Sequence, residues 1–211
     1  MDTLRLVLLK CSQCGAPLAA EGSDVVYYCT ACRSGFRLEG EGEGERLVPV
    51  TVEFVSAPHV AASRYLPFWL LPAKVTIQQR DAAGGAIQGL MRLFTGGGEE
   101  GLGQGEVRFA IPAFRAPIDT ITELALRYTE ALPHLGEKLG EKLTGGTLSP
   151  EDAGKLAHFT LIAAEAAKPD TLKNLAYHID LGPPSLLGVP FVEKEGRLVD
   201  GVFGVEASRL T

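Results

Sequence analysis

Hydrophobic residues recur at every second position over much of this chain, which is the period of a strand with one buried face. The clearest run begins at residue 47, where polar residues and a proline separate Val48, Val50, Val52 and Phe54. The same pattern predicts further strands over residues 65–80, 106–111 and 175–181, and a hairpin over 190–205 that turns at 194–196. The region from residue 47 onward is therefore expected to contain a sheet.

Two segments show helical spacing instead. Apolar residues three and four positions apart predict a helix over residues 118–132, at Ile118, Ile121, Leu124, Ala125 and Tyr128. A second helix is predicted to begin after Ser149, whose side chain can cap it, with Pro150 in its first turn and an end before Pro169. Antiparallel strands combined with about two helices predict an α+β fold.

The four cysteines of the chain form two pairs, Cys11 with Cys14 and Cys29 with Cys32, with fourteen residues between the pairs. Each Cys-x-x-Cys makes a tight turn that directs two sulfurs to one point, and two such turns can surround a metal ion with four thiolates. This spacing is typical of a structural zinc site, so Zn²⁺ is the predicted cofactor. An iron site with the same thiolate shell and a dithiol–disulfide redox pair are the alternatives.

Residues 4–38 resemble the zinc-ribbon family, through Lys-Cys-Ser-Gln-Cys-Gly-Ala-Pro-Leu around the first pair and Tyr-Tyr-Cys-Thr-Ala-Cys-Arg-Ser-Gly-Phe around the second. A short strand at 4–9 leads into the first pair, and Gly15 follows that pair with the positive φ that the turn needs. Arg33 stands at the equivalent position of the second pair, where glycine is usual in the family. The resemblance implies a small N-terminal β ribbon built around the metal.

A glycine-rich acidic segment separates this ribbon from the rest of the chain. Residues 39–45 read Glu-Gly-Glu-Gly-Glu-Gly-Glu and have no apolar side chain to bury, which favours a mobile spacer. The predicted organisation is a zinc ribbon over residues 1–38, a linker over 39–46 and an α+β domain over 47–211. Attraction of a basic partner is the alternative role for the acidic segment.

Proline lies close to an aromatic residue in three segments: Tyr65-Leu66-Pro67-Phe68-Trp69, Ile111-Pro112-Ala113-Phe114 and Val189-Pro190-Phe191. Because proline lacks the N–H that a strand ladder uses, each segment is expected where a strand begins, ends or borders the sheet. Together with the ribbon, these segments resemble a group of uncharacterised bacterial zinc-ribbon proteins, a resemblance that implies no activity. Tyr65, Phe68 and Trp69 are predicted to be core residues, and a protein-docking surface and a membrane-contacting segment are the alternatives.

Composition and charge narrow the range of functions. The 211 residues are 45% hydrophobic, which suffices for a packed core, and carry a formal net charge of −6. Residues 1–46 contain five basic and seven acidic side chains, so 5 − 7 = −2, and the basic stripe that nucleic-acid binding requires is missing. No apolar run approaches the ~20 residues of a membrane-spanning helix, and the use of cysteine suits a reducing compartment, so a cytoplasmic protein is predicted.

No catalytic constellation is recognisable in the sequence. The glycine-rich residues 96–103 lack the Gly-Lys-Ser/Thr ending of a phosphate loop, and the histidines lack metal-site spacing at His59, His134, His158 and His178. We therefore expect a non-enzymatic zinc-binding protein that acts as a protein-interaction or scaffold module, docking on a protein partner or on itself. A nucleic-acid-associated zinc-ribbon factor and an enzyme whose site in the α+β domain carries no motif are the alternatives.

Overall fold

The computed structural model describes residues 9–40, 45–83, 105–136 and 143–209. Within these ranges the chain forms eleven strands and two helices. The strands before the first helix are β1 (Val26–Cys29), β2 (Ser34–Glu39), β3 (Arg46–Val50), β4 (Val52–Val55), β5 (Arg64–Ala83) and β6 (Gly105–Pro112). Helix α1 (Ile118–Glu130), strand β7 (Leu135–Gly136) and helix α2 (Pro150–Ala166) follow. The last strands are β8 (Thr171–Leu181), β9 (Ser185–Lys194), β10 (Arg197–Asp200) and β11 (Glu206–Arg209).

The strands form two sheets. β1, β2 and β3 make a three-stranded antiparallel sheet, and the other eight strands make a larger one. Strand β5 is central to the larger sheet, because its first half pairs with β9 on one side, its middle with β6 on the other, and its second half with β8. Among the paired strands of the described residues, only β4 and β9 run parallel. The predicted α+β fold with a small N-terminal sheet is confirmed.

Two prolines lie inside the central strand, each beside a break in the ladder. Pro67 precedes the first β5 residue that pairs with β6, and its carbonyl accepts a hydrogen bond from the Ala113 N–H at 2.9 Å. Pro72 lies between the residues that pair with β9 and those that pair with β8, and its carbonyl accepts from the Gly182 N–H at 2.7 Å. The backbone N and O of one strand residue point to the same side of the strand. Each proline nitrogen therefore faces the side of β5 where no strand pairs with that residue, so the missing N–H costs the ladder no hydrogen bond.

The three proline-aromatic segments lie side by side in the larger sheet. Phe68 pairs with Pro112, and the first half of β5 pairs with β9, which contains Phe191. The ring of Phe114 contacts both of the other phenylalanines, with centroid distances of 5.7 Å to Phe68 and 5.7 Å to Phe191. Such edge-on pairs each contribute about 0.5–1.5 kcal/mol beyond the area they bury. The three segments that resemble one another in the sequence therefore contribute to one aromatic cluster in the fold.

Side chains of the two helices cover both faces of the central strand. Trp69 shares an apolar cluster with Leu161 of α2, whereas Phe68 shares another with Tyr128 of α1. Successive strand residues point to opposite faces, so α2 and Tyr128 of α1 pack against opposite sides of β5. This arrangement explains why residues 66–71 read as an unbroken apolar run rather than an alternating one.

The residues suggested as a docking surface differ in burial. Phe68 and Trp69 are fully buried, and Nε1 of Trp69 donates a hydrogen bond to the Leu148 carbonyl at 2.8 Å. Tyr65 is partly exposed, and its ring contacts Phe54 edge-on at 5.4 Å. Phe68 and Trp69 are thus part of the core, and a docking role for this segment stays a prediction.

The ends of the helices follow the sequence signals closely. The Ser149 side chain accepts a hydrogen bond from the Asp152 N–H at 3.1 Å, Pro150 opens α2, and the helix ends at Ala166. Helix α1 begins at Ile118 as predicted and ends at Glu130, two residues before the predicted end. Capping and proline signals are local, so they translate directly into helix boundaries.

The small sheet continues beyond the residues of the predicted ribbon. β2 and β3 pair from Gly35 with Val50 to Glu39 with Arg46, so strands on both sides of the predicted spacer belong to one sheet. Residues 41–44 of the spacer lie outside the described ranges, as do the strand predicted before residue 9 and the glycine-rich residues 96–103. The division into two folding units stays a prediction. No helix in the described part of the chain is long and apolar enough to cross a membrane.

Candidate metal centre

Two short turns form the sides of the centre. In the first, the Gly15 N–H donates to the Cys11 carbonyl at 2.9 Å, and Gly15 has a φ of 74°. In the second, the Arg33 N–H donates to the Cys29 carbonyl at 2.7 Å, and Arg33 has a φ of 62°. Both turns therefore have the same backbone form, although a left-handed conformation costs a residue with a Cβ roughly 1–2 kcal/mol relative to glycine.

The sulfurs of all four cysteines converge on one point. The Sγ atoms of Cys11 and Cys32 are 3.5 Å apart, those of Cys14 and Cys29 are 3.6 Å apart, and all four lie within 4.8 Å of one another. A tetrahedral shell with metal–sulfur bonds of about 2.3 Å places its sulfurs about 3.8 Å apart, so these four fit a single ion. Elsewhere in the described residues no group of three or more histidine, cysteine, aspartate or glutamate side chains is close enough to hold a metal.

The thiols differ in exposure and in pKa. Cys11 and Cys29 are buried, Cys32 is partly exposed and Cys14 is exposed. The Ser34 hydroxyl and the neighbouring thiols lower the pKa of Cys32 to about 6, although burial opposes this. A backbone N–H acts to lower the pKa of Cys14, but burial and the other three thiols together outweigh this effect and raise the pKa to about 12. The cluster alone therefore accepts a first negative charge readily and resists the last, and a cation makes four thiolates stable together.

A polar link joins the two turns. Oγ of Ser34 lies 2.5 Å from Oε1 of Gln13, which stands between the two cysteines of the first pair. The same oxygen lies 3.4 Å from Sγ of Cys32. The sequence analysis missed both residues, because neither is of a type that binds zinc and no local pattern relates positions 21 residues apart.

Strand β1 connects the metal centre with the larger sheet. Cys29 points to the metal, whereas Val26 and Tyr28 point to the opposite side, because strand side chains alternate. Val26 is fully buried in the apolar cluster that contains Trp69, and the ring of Tyr28 contacts Phe54 at a centroid distance of 5.9 Å. One strand of four residues thus carries both a candidate ligand and a core side chain.

Further contacts extend this boundary between the two sheets. The Val25 N–H donates to the Gly146 carbonyl at 2.7 Å, and Arg37 reaches Glu151 at 3.3 Å. Gly35 permits the close approach, since a Cβ at this position would lie 2.3 Å from Cγ2 of Val52. The small sheet is therefore packed against the larger one.

Two titratable groups away from the centre, His158 and Asp200, have structural contacts of their own. His158 lies 3.2 Å from the Tyr177 hydroxyl through Nδ1. Asp200 is buried and accepts hydrogen bonds from the Tyr128 hydroxyl and from the N–H groups of two residues that follow it, at 3.2 and 2.6 Å. These bonds close the connection between β10 and β11. Asp200 was not singled out from the sequence, because only its burial distinguishes it from a surface acid.

Comparison of the chain with protein-family models, curated proteins and solved structures finds no match. The cysteine spacing and the convergence of the four sulfurs are consistent with a zinc-ribbon-like motif. Function therefore has to be argued from the site itself, because a fold alone does not determine an activity.

Proposed function

We propose that the protein is a non-enzymatic zinc-binding module in which the metal is structural and the larger domain binds a protein partner. The convergence of four cysteine sulfurs carries the metal half of this proposal. Thiolates favour zinc over hard cations such as Mg²⁺ and Ca²⁺, and a filled tetrahedral shell leaves no position for a substrate. The four ligands would be Cys11, Cys14, Cys29 and Cys32. The predicted cytoplasmic location would keep these thiols reduced.

The zinc would hold strand β1 in position. Cys29 would be held by the metal at one end of the strand, and Val26 is buried in the core of the larger sheet at the other. Fixing the ribbon side of the strand therefore restrains the core side. A scaffold role follows, in which the metal stabilises a surface that lies beyond the ribbon.

The surface proposed for the partner is the outer face of helix α2. Surface helices normally present polar side chains to water, but this face carries apolar residues three and four positions apart: Phe159, Ile162, Ala163 and Ala166. Phe159 is 66% exposed, and Ile118 of α1, which is 65% exposed, also lines the cleft of about 280 Å³ between the two helices. A contiguous apolar surface of this kind is typical of a protein-binding site.

Two ion pairs lie within the two helices that line this cleft. Asp152 pairs with Lys155 at 2.7 Å, and Glu123 pairs with Arg127 at 2.9 Å, so these side chains are neutralised within the chain. A partner would accordingly be recognised by an apolar ridge or helix of its own rather than by charge. A second copy of the chain belongs to the same class of partner.

Metal analysis tests the first half of the proposal. Protein purified without added metal should contain close to one zinc per chain. Free thiols without metal, or a reddish preparation that contains iron in place of zinc, would contradict the structural-zinc assignment.

Capture from a native lysate tests the second half. Phe159→Asp introduces a charge at the centre of the apolar face, and Thr171→Asp introduces the same charge at an exposed position of β8 as the control. A protein retained by the wild type and the control, but lost with Phe159→Asp, is the expected result. Light scattering on the same three proteins measures self-association. Unchanged capture together with a wild type that stays monomeric would contradict the interaction role.

A further inference from the structure

The Ser34 hydroxyl lies between a candidate metal ligand and the opposite turn. It is 3.4 Å from the sulfur of Cys32 and 2.5 Å from Oε1 of Gln13. Ser34 follows the second cysteine pair by two residues, whereas Gln13 is inside the first pair. The hydrogen bond from Ser34 to Gln13 therefore connects the two turns directly, without passing through the metal.

Metal binding changes the direction of the hydrogen bonds among Cys32, Ser34 and Gln13. A hydroxyl has one proton to donate and two lone pairs to accept. While Cys32 carries its own proton, its S–H donates to Ser34 and the hydroxyl donates to Gln13. A metal-bound thiolate has no proton, so the sulfur becomes an acceptor and the Ser34 hydroxyl is a donor within reach. Gln13 is exposed and can turn its amide so that the NH₂ group donates to the Ser34 oxygen.

We propose that Ser34 and Gln13 are positioning residues of the metal centre: the Ser34 hydroxyl donates a hydrogen bond to the metal-bound sulfur of Cys32, and Gln13 holds that hydroxyl and ties the first turn to the second. This inference rests on the proposed metal-binding function and adds two residues outside the ligand set. Groups that hydrogen-bond to metal ligands orient those ligands and raise metal affinity.

The first cysteine pair shows why Ser34 is the sensitive position. The backbone N–H of Ala16, two residues further along the chain, acts to lower the pKa of Cys14. At the equivalent position of the second pair, Cys32 depends on the side chain of Ser34. A backbone donor survives the replacement of a side chain, whereas the hydroxyl does not. Metal affinity is therefore expected to respond more strongly to substitution at Ser34 than at Ala16.

Zinc competition on the full chain tests the affinity. Ser34→Ala removes both the donor and the link, Ser34→Thr keeps the hydroxyl, and Ser12→Ala changes an exposed serine of the first turn as the control. Ser34→Ala should weaken Zn²⁺ binding by about 10- to 100-fold, the usual range for the loss of a partner of a metal ligand. Ser34→Thr and Ser12→Ala should bind zinc nearly as tightly as the wild type.

Cobalt(II) bound in place of zinc reports on the hydrogen bond itself. A donor lowers the energy of the thiolate lone pairs, so the sulfur-to-cobalt charge-transfer band of Ser34→Ala should move to longer wavelength. Gln13→Ala keeps the hydroxyl, so it should lower the affinity by a smaller factor and leave the band in place. A purely structural effect of the serine would not separate these two variants.

Equal zinc affinity of Ser34→Ala and Ser12→Ala, or a charge-transfer band that does not move, would overturn the proposal. Failure of the wild type to bind zinc or cobalt would instead overturn the metal-binding function, so the two failures are distinguishable. Circular dichroism of the zinc-loaded proteins checks their folding. If Ser34→Ala does not fold, the surface variant Gln13→Ala decides, because undiminished zinc affinity of that variant would overturn the link between the turns.

Discussion

The ribbon and the larger sheet achieve stability by different means. Among the described residues, the apolar cluster within the ribbon has five buried members, of which two are the candidate ligands Cys11 and Cys29, whereas the two main clusters of the larger sheet have fourteen and thirteen. A core as small as that of the ribbon does not offset the entropy of ordering its chain, and structural zinc can contribute about 10–16 kcal/mol at neutral pH. The metal is therefore expected to hold the ribbon, and apolar burial the larger sheet.

The ribbon and the larger sheet are stabilised differently, but the contacts at their boundary show that they are not independent. Val26 belongs to a ribbon strand, yet it is counted in the core of the larger sheet together with Trp69. A region whose fold is expected to depend on metal thus supplies a buried side chain to the core of a region that is not expected to. The comparison predicts that loss of metal weakens the larger sheet without unfolding it.

Removal of the metal should have the largest effect. Cys29→Ser takes away a buried ligand, so residues 9–38 should lose protection from hydrogen exchange because folding of the ribbon is coupled to metal binding. The larger sheet should remain folded, with a melting temperature lowered by several degrees because Val26 is no longer held in its core. Hydrogen exchange followed by mass spectrometry measures both regions in one experiment.

Chelation of zinc from the wild type, followed by its restoration, is the control for this substitution. A single transition in which both regions unfold together would show that the ribbon and the larger sheet are one cooperative unit, contrary to the predicted two-domain division. A melting temperature of the larger sheet that does not change at all would show that the boundary contributes nothing to its stability.

Trp69→Ala should have the next largest effect, on the larger sheet. Trp69 is fully buried and its indole donates to the Leu148 carbonyl, so the substitution should lower the free energy of unfolding by about 3–5 kcal/mol. Urea denaturation measures this loss, and Trp69→Phe, which keeps most of the volume, should cost clearly less. Fluorescence of the wild type should be blue-shifted. A red-shifted, readily quenched tryptophan in a stable monomer would contradict burial of this side chain.

Val26→Ala tests whether a residue of the ribbon contributes to the stability of the larger sheet. Truncation of this buried side chain should lower the stability of the larger sheet by about 1–3 kcal/mol, although the residue lies in a ribbon strand. Zinc affinity should change little, because the ligand-bearing face of β1 is untouched. Val48→Ala, at a partly buried position of β3, is the control. If Val26→Ala weakens zinc binding and leaves the larger sheet unaffected, this residue belongs energetically to the ribbon.

The two turns should respond in opposite directions to substitution, with the smallest effects. Gly15→Ala places a Cβ in a left-handed conformation and should destabilise the metal-bound ribbon by about 1–2 kcal/mol. Arg33→Gly relieves the same strain at a φ of 62°, so it should be neutral or stabilise by less than about 1 kcal/mol, since the greater freedom of glycine in the unfolded chain offsets part of the gain. Thermal melting of the zinc-loaded proteins measures both. Marked destabilisation by Arg33→Gly would mean that the arginine side chain makes a contribution of its own.

Local patterns in the sequence were enough to predict several parts of the molecule. The spacing of Cys11, Cys14, Cys29 and Cys32 indicated a shared metal site, and the four sulfurs do lie together. Ser149 and Pro150 predicted the start of α2, and residues 194–196 predicted the turn between β9 and β10, where Glu195 and Gly196 have positive φ. These features depend on the conformation of a few consecutive residues, so neighbouring side chains suffice to predict them.

Contacts between distant residues could be read only from the tertiary structure. The pairing of β2 with β3, the burial of Val26 beside Trp69 and the link between Gln13 and Ser34 each join segments whose meeting no local pattern encodes. Glu165 is an example among the charges: it lies on a predicted helix like any surface acid, yet it is fully buried and bonded to Arg80 at 2.7 Å. Strand periodicity tells which side chains share a face, but the partner that covers this face depends on how the whole chain packs. The sequence by itself thus determined many of the strands, the two helices and the candidate ligands, while the packing of the sheets divided the run from Val48 to Phe54 between two sheets and decided how the metal centre is joined to the rest of the protein.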